Sequence, residues 1–335
     1  MLTIQNRIPE GLLELEAYEL YQKLDGPTLF HLEGQRSPPL YISVLLHGNE
    51  PVGWNAVRNL LSRYRNQKLP RALSLFIGNI SAARHRLRRL EHQPDYNRVW
   101  SPGDTPEHAM ANQVYQEISK TGLFASIDLH NNTGLNPHYA CINKLAPDFL
   151  HLATLFDRTV IYFTQPPGVQ SLAFAELGPA ITLECGQPNN PKGVDHATEY
   201  LAACLHLAEI PSRPIAKHDI ELFHTVAVVR VAPGAQIGFH EDGLDLRLVD
   251  NIDYLNFREL PVGTLLGWQQ SDGEILLKTT DEQDREVSGD YFYLDGKALR
   301  VRCPVMPSML TRDTRIIRQD CLCYLMERMT IPNEA

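Results

Sequence analysis

The pattern of apolar and polar positions alternates between two periods over the first two thirds of the chain. Short apolar runs typical of buried strands are separated by stretches in which apolar residues recur with the period of a helix. The predicted strands cover residues 28–32, 41–46, 72–77, 126–130, 139–142, 159–163 and 180–184. The predicted helices cover residues 12–24, 51–66, 106–121, 146–157, 170–177 and 193–208. Strands that alternate with helices in this way predict an α/β layered structure.

The pattern changes after Pro211. Short alternating segments, separated by Gly, Asp and Asn turns, replace the helical periodicity from there on. Candidate strands cover residues 222–231, 244–249, 274–279, 291–294 and 298–303. We therefore predict a second, all-β domain that forms a small barrel or sandwich. The predicted domains are residues 1–212 and residues 213–335.

Composition and charge narrow the class of protein. The chain has 335 residues and a formal net charge of −9, which argues against a nucleic-acid partner because phosphate binding needs a basic surface. No apolar stretch approaches the ~20 residues that span a membrane, so we expect no membrane partner. The first residues lack the basic start and apolar run of a signal peptide, and six scattered cysteines are too few for a disulfide framework. We expect a cytoplasmic protein with buried thiols, and homo-oligomerisation is left open.

Three of the predicted strands end in a residue that can bind a metal ion or a proton. The run at 41–46 is followed by His47, a Gly-Asn turn and Glu50. The run that follows residue 125 ends at His130, and the run that follows residue 179 ends at Glu184. Open α/β sheets bind their ligands at the carboxyl ends of the strands. We therefore predict one site that is assembled from three places.

The side chains of His47, Glu50 and His130 supply two imidazoles and one carboxylate. Zinc accepts both ligand types, and a catalytic zinc site keeps a fourth position for water. We predict one Zn²⁺ per chain, although a similar ligand set also suits other divalent metals. Asp128 lies two residues before His130 and points to the same face of the strand. It either orients a ligand imidazole or caps a nearby turn.

Glu184 is predicted to be the general base that moves a proton from water to a leaving amine. The metal centre would acidify that water and polarise the scissile carbonyl. The adjacent Cys185 would point to the opposite side of the strand. We therefore expect a buried thiol at Cys185 and not a nucleophile.

A local excess of positive charge occurs at residues 84–89, and Asn97 and Arg98 follow it. A guanidinium fork matches a carboxylate bidentately, and a neighbouring amide adds donors. A second arginine near a metal can hold a developing oxyanion. Together with the metal motif, these residues favour substrate binding over a solvated basic loop. The loop that begins at Asn131 offers further amide and hydroxyl groups for a polar substrate.

Five short motifs cover most of the first 210 residues and resemble, in order and spacing, those of the succinylglutamate desuccinylase/aspartoacylase family, which belongs with the zinc carboxypeptidases. The motifs are His47-Gly-Asn-Glu50, Gly78-Asn79, Asp95-x-Asn97-Arg98, Asp128-Leu-His130-Asn131 and Glu184-x-Gly186. The resemblance implies a zinc-carboxypeptidase-like mixed sheet flanked by helices, with a smaller C-terminal all-β domain. It also implies that His47, Glu50 and His130 bind zinc and that Glu184 is the catalytic glutamate.

The same resemblance implies roles for the basic segment. Asn97 and Arg98 match the pair that grips a substrate carboxylate. The oxyanion arginine of the family falls within residues 84–89, where Arg88 fits best by its spacing and Arg89 stays open.

The sequence departs from the family at one place. In aspartoacylases an arginine about ten residues before the catalytic glutamate helps hold a substrate carboxylate, but residues 171–177 contain no arginine. The departure favours a less acidic acyl group or a peptide-like amide over an aspartyl or succinyl group. We predict a zinc-dependent hydrolase that cleaves an amide bond of an N-acyl amino acid or a similar small carboxylate-bearing substrate. One alternative is a zinc carboxypeptidase acting on short or cell-wall-type peptides, and another is a non-catalytic zinc- or ligand-binding module.

Overall fold

The computed structural model describes residues 1–188, 190–241, 243–270 and 273–331. Internal contacts divide the chain into two units. One comprises Met1–Asn131 and His138–Leu222, and the other comprises Asn132–Pro137 and Phe223–Thr330. The domain boundary between residues 212 and 213 stays a prediction.

The strands of the first unit lie side by side in a mixed arrangement. They are β1 (Thr3–Gln5), β2 (Thr28–Leu32), β3 (Leu40–Val44), β4 (Leu73–Ile77), β5 (Ala125–His130), β6 (Tyr139–Ile142), β7 (Thr159–Tyr162) and β8 (Ala180–Glu184). Their order across the sheet is β1-β2-β4-β3-β5-β8-β6-β7. Neighbouring strands are parallel, except that β2 pairs with β4 and β6 pairs with β8 in antiparallel fashion. Every residue of β3, β4, β5 and β8 is buried, as expected for strands covered on both faces.

The helices of the first unit follow the local signals in the sequence. They are α1 (Val52–Ser62), α2 (Ile80–Arg84), α3 (Pro106–Thr121), α4 (Pro147–Thr154), α5 (Gln170–Phe174) and α6 (Pro191–His206), with 3₁₀ helices at Ala17–Gln22 and Lys217–Asp219. The hydroxyl of Thr105 caps α3, Pro106 takes its first position, and Gly122 ends it with a φ of 77°. Helix α1 buries an apolar stripe that includes the fully buried Trp54.

The register of three parallel strands places polar side chains on one face of the sheet. Ser43 of β3 lies opposite Asp128 of β5, and His130 of β5 lies opposite Glu184 of β8. Because side chains of directly opposed residues leave the sheet on the same side, these residues share a face. The end of this face carries the predicted chemistry.

The second unit is built mainly from strands. They are β9 (Glu221–Val231), which begins at the boundary, β10 (Ile237–Gly238), β11 (Leu246–Leu248), β12 (Leu265–Gln269), β13 (Leu277–Asp281), β14 (Phe292–Asp295), β15 (Ala298–Val301), β16 (Met306–Ser308) and β17 (Cys323–Arg328). Strand β9 lies between β13 and β17, and β16 pairs with β17. A five-stranded sheet has the order β10-β11-β12-β15-β14. A core of buried side chains, among them Leu246, Leu277 and Leu299, fills the unit.

The predicted fold class is confirmed, since a mixed sheet flanked by helices is accompanied by a further five-stranded sheet near the C-terminus. The strands at 28–32, 139–142 and 180–184 and the helix at 106–121 have the predicted bounds. In the described part of the chain, no helix is both long enough and apolar enough to cross a bilayer.

Other elements differ from the sequence prediction. The helix predicted at 12–24 is a 3₁₀ helix of six residues. The stretch between residues 78 and 105, to which the pattern assigned neither a strand nor a helix, contains α2. The second unit also holds two short helices, α7 (Ser288–Tyr291) and α8 (Thr314–Gln319), as well as β12, β16 and β17, which the pattern missed. Most of these elements are short, and β16 has only three residues, so neither period stands out in their sequence.

The interior strands should dominate the stability of the first unit. Leu75 of β4 is fully buried, whereas Leu155 after α4 is 44% exposed. We expect Leu75→Ala to lower the free energy of unfolding by about 2–5 kcal/mol because it leaves a cavity in the core, and Leu155→Ala to change it by less than about 0.5 kcal/mol. Urea unfolding measures both values. Equal losses for the two variants would contradict the described core.

Candidate metal centre

The turn that carries the first two predicted ligands starts in a strained conformation. Leu45, directly after β3, has a φ of 56°, and its carbonyl accepts a 2.6 Å hydrogen bond from Asn79 N. A β-carbon on Gly48 would lie 2.2 Å from Ala83 N, so this close approach requires glycine. Gly48 N also donates to Arg88 O over 3.1 Å. The turn is thus fastened to the segment that carries the predicted oxyanion arginine.

The structure brings the three predicted metal ligands into one buried cluster. Ligand atoms of His47, Glu50 and His130 all lie within 4.8 Å of one another. His47 Nδ1 is 2.9 Å from Glu50 Oε1, and His130 Nδ1 is 2.8 Å from Glu50 Oε2. All three residues are at most 5% exposed. The two Nδ1 atoms and the carboxylate therefore converge on one point.

A second layer of carboxylates holds the opposite edge of each imidazole. His47 Nε2 lies 2.8 Å from Asp95 Oδ1, and His130 Nε2 lies 2.7 Å from Asp128 Oδ2. The other oxygen of Asp128 accepts a 2.6 Å hydrogen bond from Ser43 Oγ. Metal-bound histidines commonly donate their second ring N–H to a carboxylate, which fixes the tautomer and the ring orientation. Both imidazoles are therefore held with Nδ1 directed toward the centre.

The carboxylates of the cluster favour positive charge at its centre. Burial alone would lower the pKa of the His130 imidazole, but the carboxylates of Asp128 and Glu50 raise it well above its usual value. Burial raises the pKa of Glu50, yet the imidazoles of His47 and His130 lower it below its usual range. With Asp95 included, three carboxylates contact the two imidazoles, and the Arg88 guanidinium contacts two of these carboxylates. The three carboxylates and the guanidinium together carry a net charge of −2. Two extra protons on the imidazoles would balance this charge, and so would one divalent metal ion in their place.

Arg88 is the arginine that faces this cluster. Its Nε and Nη2 donate to Asp95 Oδ2 over 3.2 and 2.9 Å, and its Nη1 lies 3.7 Å from Glu50 Oε1. Burial raises the pKa of Asp95, but His47 and Arg88 hold it well below its usual range. Arg89 instead donates from Nη1 to a backbone carbonyl 2.8 Å away. Of the two arginines that the sequence left open, the structure places Arg88 beside the predicted ligands.

Asn97 and Arg98 lie next to the cluster. Asn97 Oδ1 accepts a 2.9 Å hydrogen bond from Gln170 N, and its Nδ2 lies 3.3 Å from His130 Nε2. Arg98 Nη1 donates to the carbonyl of Asn97 over 2.8 Å. The first residue of α5 thus orients the Asn97 amide so that its Nδ2 faces the outer, Nε2 edge of the His130 ring.

Glu184 occupies the end of the strand beside His130. It is 8% exposed, and it is the register partner of His130 across β5 and β8 and of Tyr139 across β6 and β8. Cys185 is buried, and burial together with the Glu184 and Glu50 carboxylates raises the pKa of its thiol well above the usual value. A protonated, buried thiol is a poor nucleophile, so Cys185 fits the structural role predicted for it.

Asn131 uses its side chain to hold the backbone together. Its Nδ2 donates to Gly186 O over 2.9 Å, and its Oδ1 accepts from Val52 N over 3.1 Å. Its backbone N donates to Glu50 Oε2 over 3.2 Å. The prediction that Asn131 binds substrate stays a prediction, and these contacts tie the end of β5 to the start of α1 and to the loop after Glu184.

Comparison with known proteins identifies the family of the chain. The profile of the succinylglutamate desuccinylase/aspartoacylase catalytic domain matches residues 36–208, slightly more than half of the chain. The chain belongs to the succinylglutamate desuccinylase/aspartoacylase family. A comparison with curated protein sequences finds no match.

Solved structures of this family share the fold at low sequence identity. Succinylglutamate desuccinylase from Chromobacterium violaceum is 16% identical, with a TM-score of 0.57 over 89% of this chain and 86% of that chain. A succinylglutamate desuccinylase/aspartoacylase from Rhodobacter sphaeroides is 15% identical, with a TM-score of 0.59 over 89% and 88%. Murine aminoacylase 3 is 15% identical, with a TM-score of 0.52 over 89% and 99%. The family fold therefore extends through both units of the chain.

Two residues of the cluster were missed as site residues by the sequence prediction. Asp95 belongs to the Asp95-x-Asn97-Arg98 motif, but the sequence prediction gave it no role. Its contact with His47, 48 residues away, is seen only in the fold. Ser43 lies within an apolar strand, where its small aliphatic hydroxyl was the available signal. A polar side chain inside a fully buried strand needs a partner, and here that partner is Asp128.

The contact between Asp128 and His130 should set metal affinity. We expect Asp128→Asn to weaken zinc binding by about 10–100-fold, the usual scale for outer partners of a metal-bound histidine. The exposed Asp25 offers a matched control, since Asp25→Asn removes one negative charge away from the cluster. Competition with a chromophoric chelator measures both affinities. Unchanged zinc affinity in Asp128→Asn, with the fold intact by circular dichroism, would contradict the assignment of His130 as a ligand.

Proposed function

We propose that this chain is a zinc-dependent hydrolase that cleaves the amide bond of an N-acyl amino acid or a similar small substrate with a free carboxylate. The observation that carries the proposal is the buried set of His47, Glu50 and His130 with Glu184 on the adjacent strand. Membership of a family whose named members are desuccinylases and aspartoacylases supports the reaction type. Zinc-dependent cleavage of an amide in a carboxylate-bearing substrate uses a metal site, a general base and a carboxylate anchor, and each has a candidate among these residues.

The ligand atoms of His47, Glu50 and His130 are of the types that zinc binds. Two imidazole nitrogens and one carboxylate make a three-ligand catalytic zinc site, and the outer carboxylates of Asp95 and Asp128 hold the opposite ring nitrogens. When bound, zinc would lower the pKa of a water and polarise the scissile carbonyl. We assign one Zn²⁺ per chain to His47, Glu50 and His130.

The remaining residues supply proton transfer and charge stabilisation. Glu184 takes a proton from the attacking water and returns it to the leaving amine nitrogen. Arg88 presents its Nη1 edge toward the cluster, where it donates to the oxygen that gains charge in the transition state. The hydrogen bond from Arg88 to Asp95 fixes the orientation of the Arg88 guanidinium before the reaction begins.

The substrate carboxylate is assigned to Asn97 and Arg98. The amide of Asn97 is already oriented by Gln170 N, and the guanidinium of Arg98 is anchored on the Asn97 carbonyl. A planar guanidinium with an adjacent amide matches a carboxylate. We place the reaction in the cytoplasm, because all six cysteines are free thiols, as expected in a reducing compartment.

Replacing the base tests the mechanism. We expect Glu184→Gln to keep zinc and to lose roughly 10²–10⁴-fold in kcat, the usual contribution of a general base. Glu209→Gln serves as the control, because Glu209 is exposed after α6. Rates and zinc content would be measured on the same preparations. Near-normal turnover in Glu184→Gln would remove Glu184 from the reaction.

A substrate panel tests the reaction class. Amine release would be followed with zinc-loaded protein on N-acetyl, N-succinyl and N-aspartyl amino acids and on short peptides with free C-termini, each with and without chelator. We expect chelator-sensitive cleavage, with uncharged acyl groups preferred, because the described residues 171–177 contain no cation. Preference for peptides would favour the carboxypeptidase alternative. Silence across the panel with zinc bound would refute the proposed reaction.

A further inference from the structure

Gln170, the first residue of α5, connects two parts of the candidate site. Its backbone N donates a 2.9 Å hydrogen bond to Asn97 Oδ1, and its side-chain Nε2 donates a 2.9 Å hydrogen bond to Ser126 Oγ. Ser126 lies on β5, two residues before Asp128 and four before His130. Because alternate residues of a strand point to one face, these three side chains leave β5 on the same side. Gln170 therefore links the predicted carboxylate anchor to the strand of the metal centre.

The turn before α5 packs directly on the segment that carries Asn97. Gly168 O accepts a 3.0 Å hydrogen bond from Trp100 N. A β-carbon on Gly168, whose φ is 76°, would lie 2.5 Å from Arg98 O, so this approach requires glycine. The indole of Trp100 also meets the Phe174 ring edge-on, with the centroids 5.6 Å apart. Helix α5 and its preceding turn thus hold this segment at several points.

Packing alone does not account for an amide at position 170. The side chain of Gln170 is fully buried, and its Oε1 has no hydrogen-bond partner among the residues that the structure describes. Burial of an unpaired polar atom destabilises a fold relative to an apolar side chain of similar size. Such departures from good packing are expected at functional sites. The amide of Gln170 therefore points to a role in the site.

We propose that Gln170 is a positioning residue for substrate binding, which sets the orientation of the Asn97 amide relative to the metal strand. The inference rests on the proposed function, because it takes Asn97 and Arg98 as the anchor of the substrate carboxylate. An ionised carboxylate only accepts hydrogen bonds, so Asn97 must present its NH₂ group to it. The bond from Gln170 N to Asn97 Oδ1 fixes that choice, and the bond to Ser126 holds Gln170 in place.

Gln170→Met tests the proposal, because methionine keeps the length of the side chain and lacks the amide donor. Binding would be measured by titration calorimetry on zinc-loaded protein that also carries Glu184→Gln, so that turnover does not consume the probe. The probes are N-acetyl-L-alanine and its carboxamide, which differ only at the carboxyl group. We expect Gln170→Met to weaken binding of the acid roughly 10–100-fold, the scale of a hydrogen bond to a charged group, and to change carboxamide binding less than about twofold.

Further variants separate positioning from a general loss of structure. Gln113→Met, at an exposed position on α3, should leave both affinities unchanged. Ser126→Ala removes the acceptor at the other end of the Gln170 hydrogen bond and should weaken acid binding selectively, as Gln170→Met does. The double variant should be no weaker than either single one, since both substitutions break one bond. Additive losses, or equal weakening of acid and carboxamide, would overturn the proposal.

The Asn97→Ala variant shows through which residue Gln170 acts. In that background, Gln170→Met should cause no further loss of acid binding, because the amide that it positions is missing. A further loss would contradict the proposed route.

The same titrations separate this inference from the proposed reaction. Absence of turnover, with acid binding still dependent on Gln170, would overturn the reaction and support the positioning role. Failure of the acid to bind the Glu184→Gln protein, or unchanged acid affinity in Gln170→Met, would overturn the positioning role whatever the substrate panel shows.

Discussion

The in-register pairing of β3, β5 and β8 is the constraint on which the centre depends. It sets Ser43 beside Asp128 and His130 beside Glu184 on one face of a buried sheet. A slip of one residue in either pairing would turn one of these sets toward the opposite face. The hydrophobic burial that fixes the register of these strands therefore also fixes how His130, Asp128 and Glu184 lie relative to one another.

Polar groups at the centre are arranged in two layers. Glu50 joins both imidazoles on the inside, while Asp95 and Asp128 hold them from the outside. Buried carboxylates are costly unless they are paired. Here each has hydrogen-bond donors of its own, including Ser43 for Asp128. The same donors that make the burial tolerable leave each imidazole with one preferred orientation.

Most of the predicted site residues follow directly after predicted strands. They could be recognised in the sequence because a short apolar run followed by His or Glu is a local pattern. His47, His130 and Glu184 were found in this way. Asp95 was not assigned a role, since it belongs to an irregular segment and meets His47 only through the fold. The side-chain contacts of Asn131 with Val52 and Gly186 were hidden for the same reason. Short strands such as β16 were missed because three residues cannot show a period.

The contacts of Glu50 also have a thermodynamic consequence. Its carboxylate meets His130, which is 80 residues away along the chain, and the backbone N of Asn131. In the unfolded chain Glu50 and His130 are far apart, so a metal ion held by both side chains would bind the native state selectively. By linkage, free metal at about a hundred times its dissociation constant adds roughly 2.7 kcal/mol to the free energy of unfolding. Metal supply would then set what fraction of the chain stays folded.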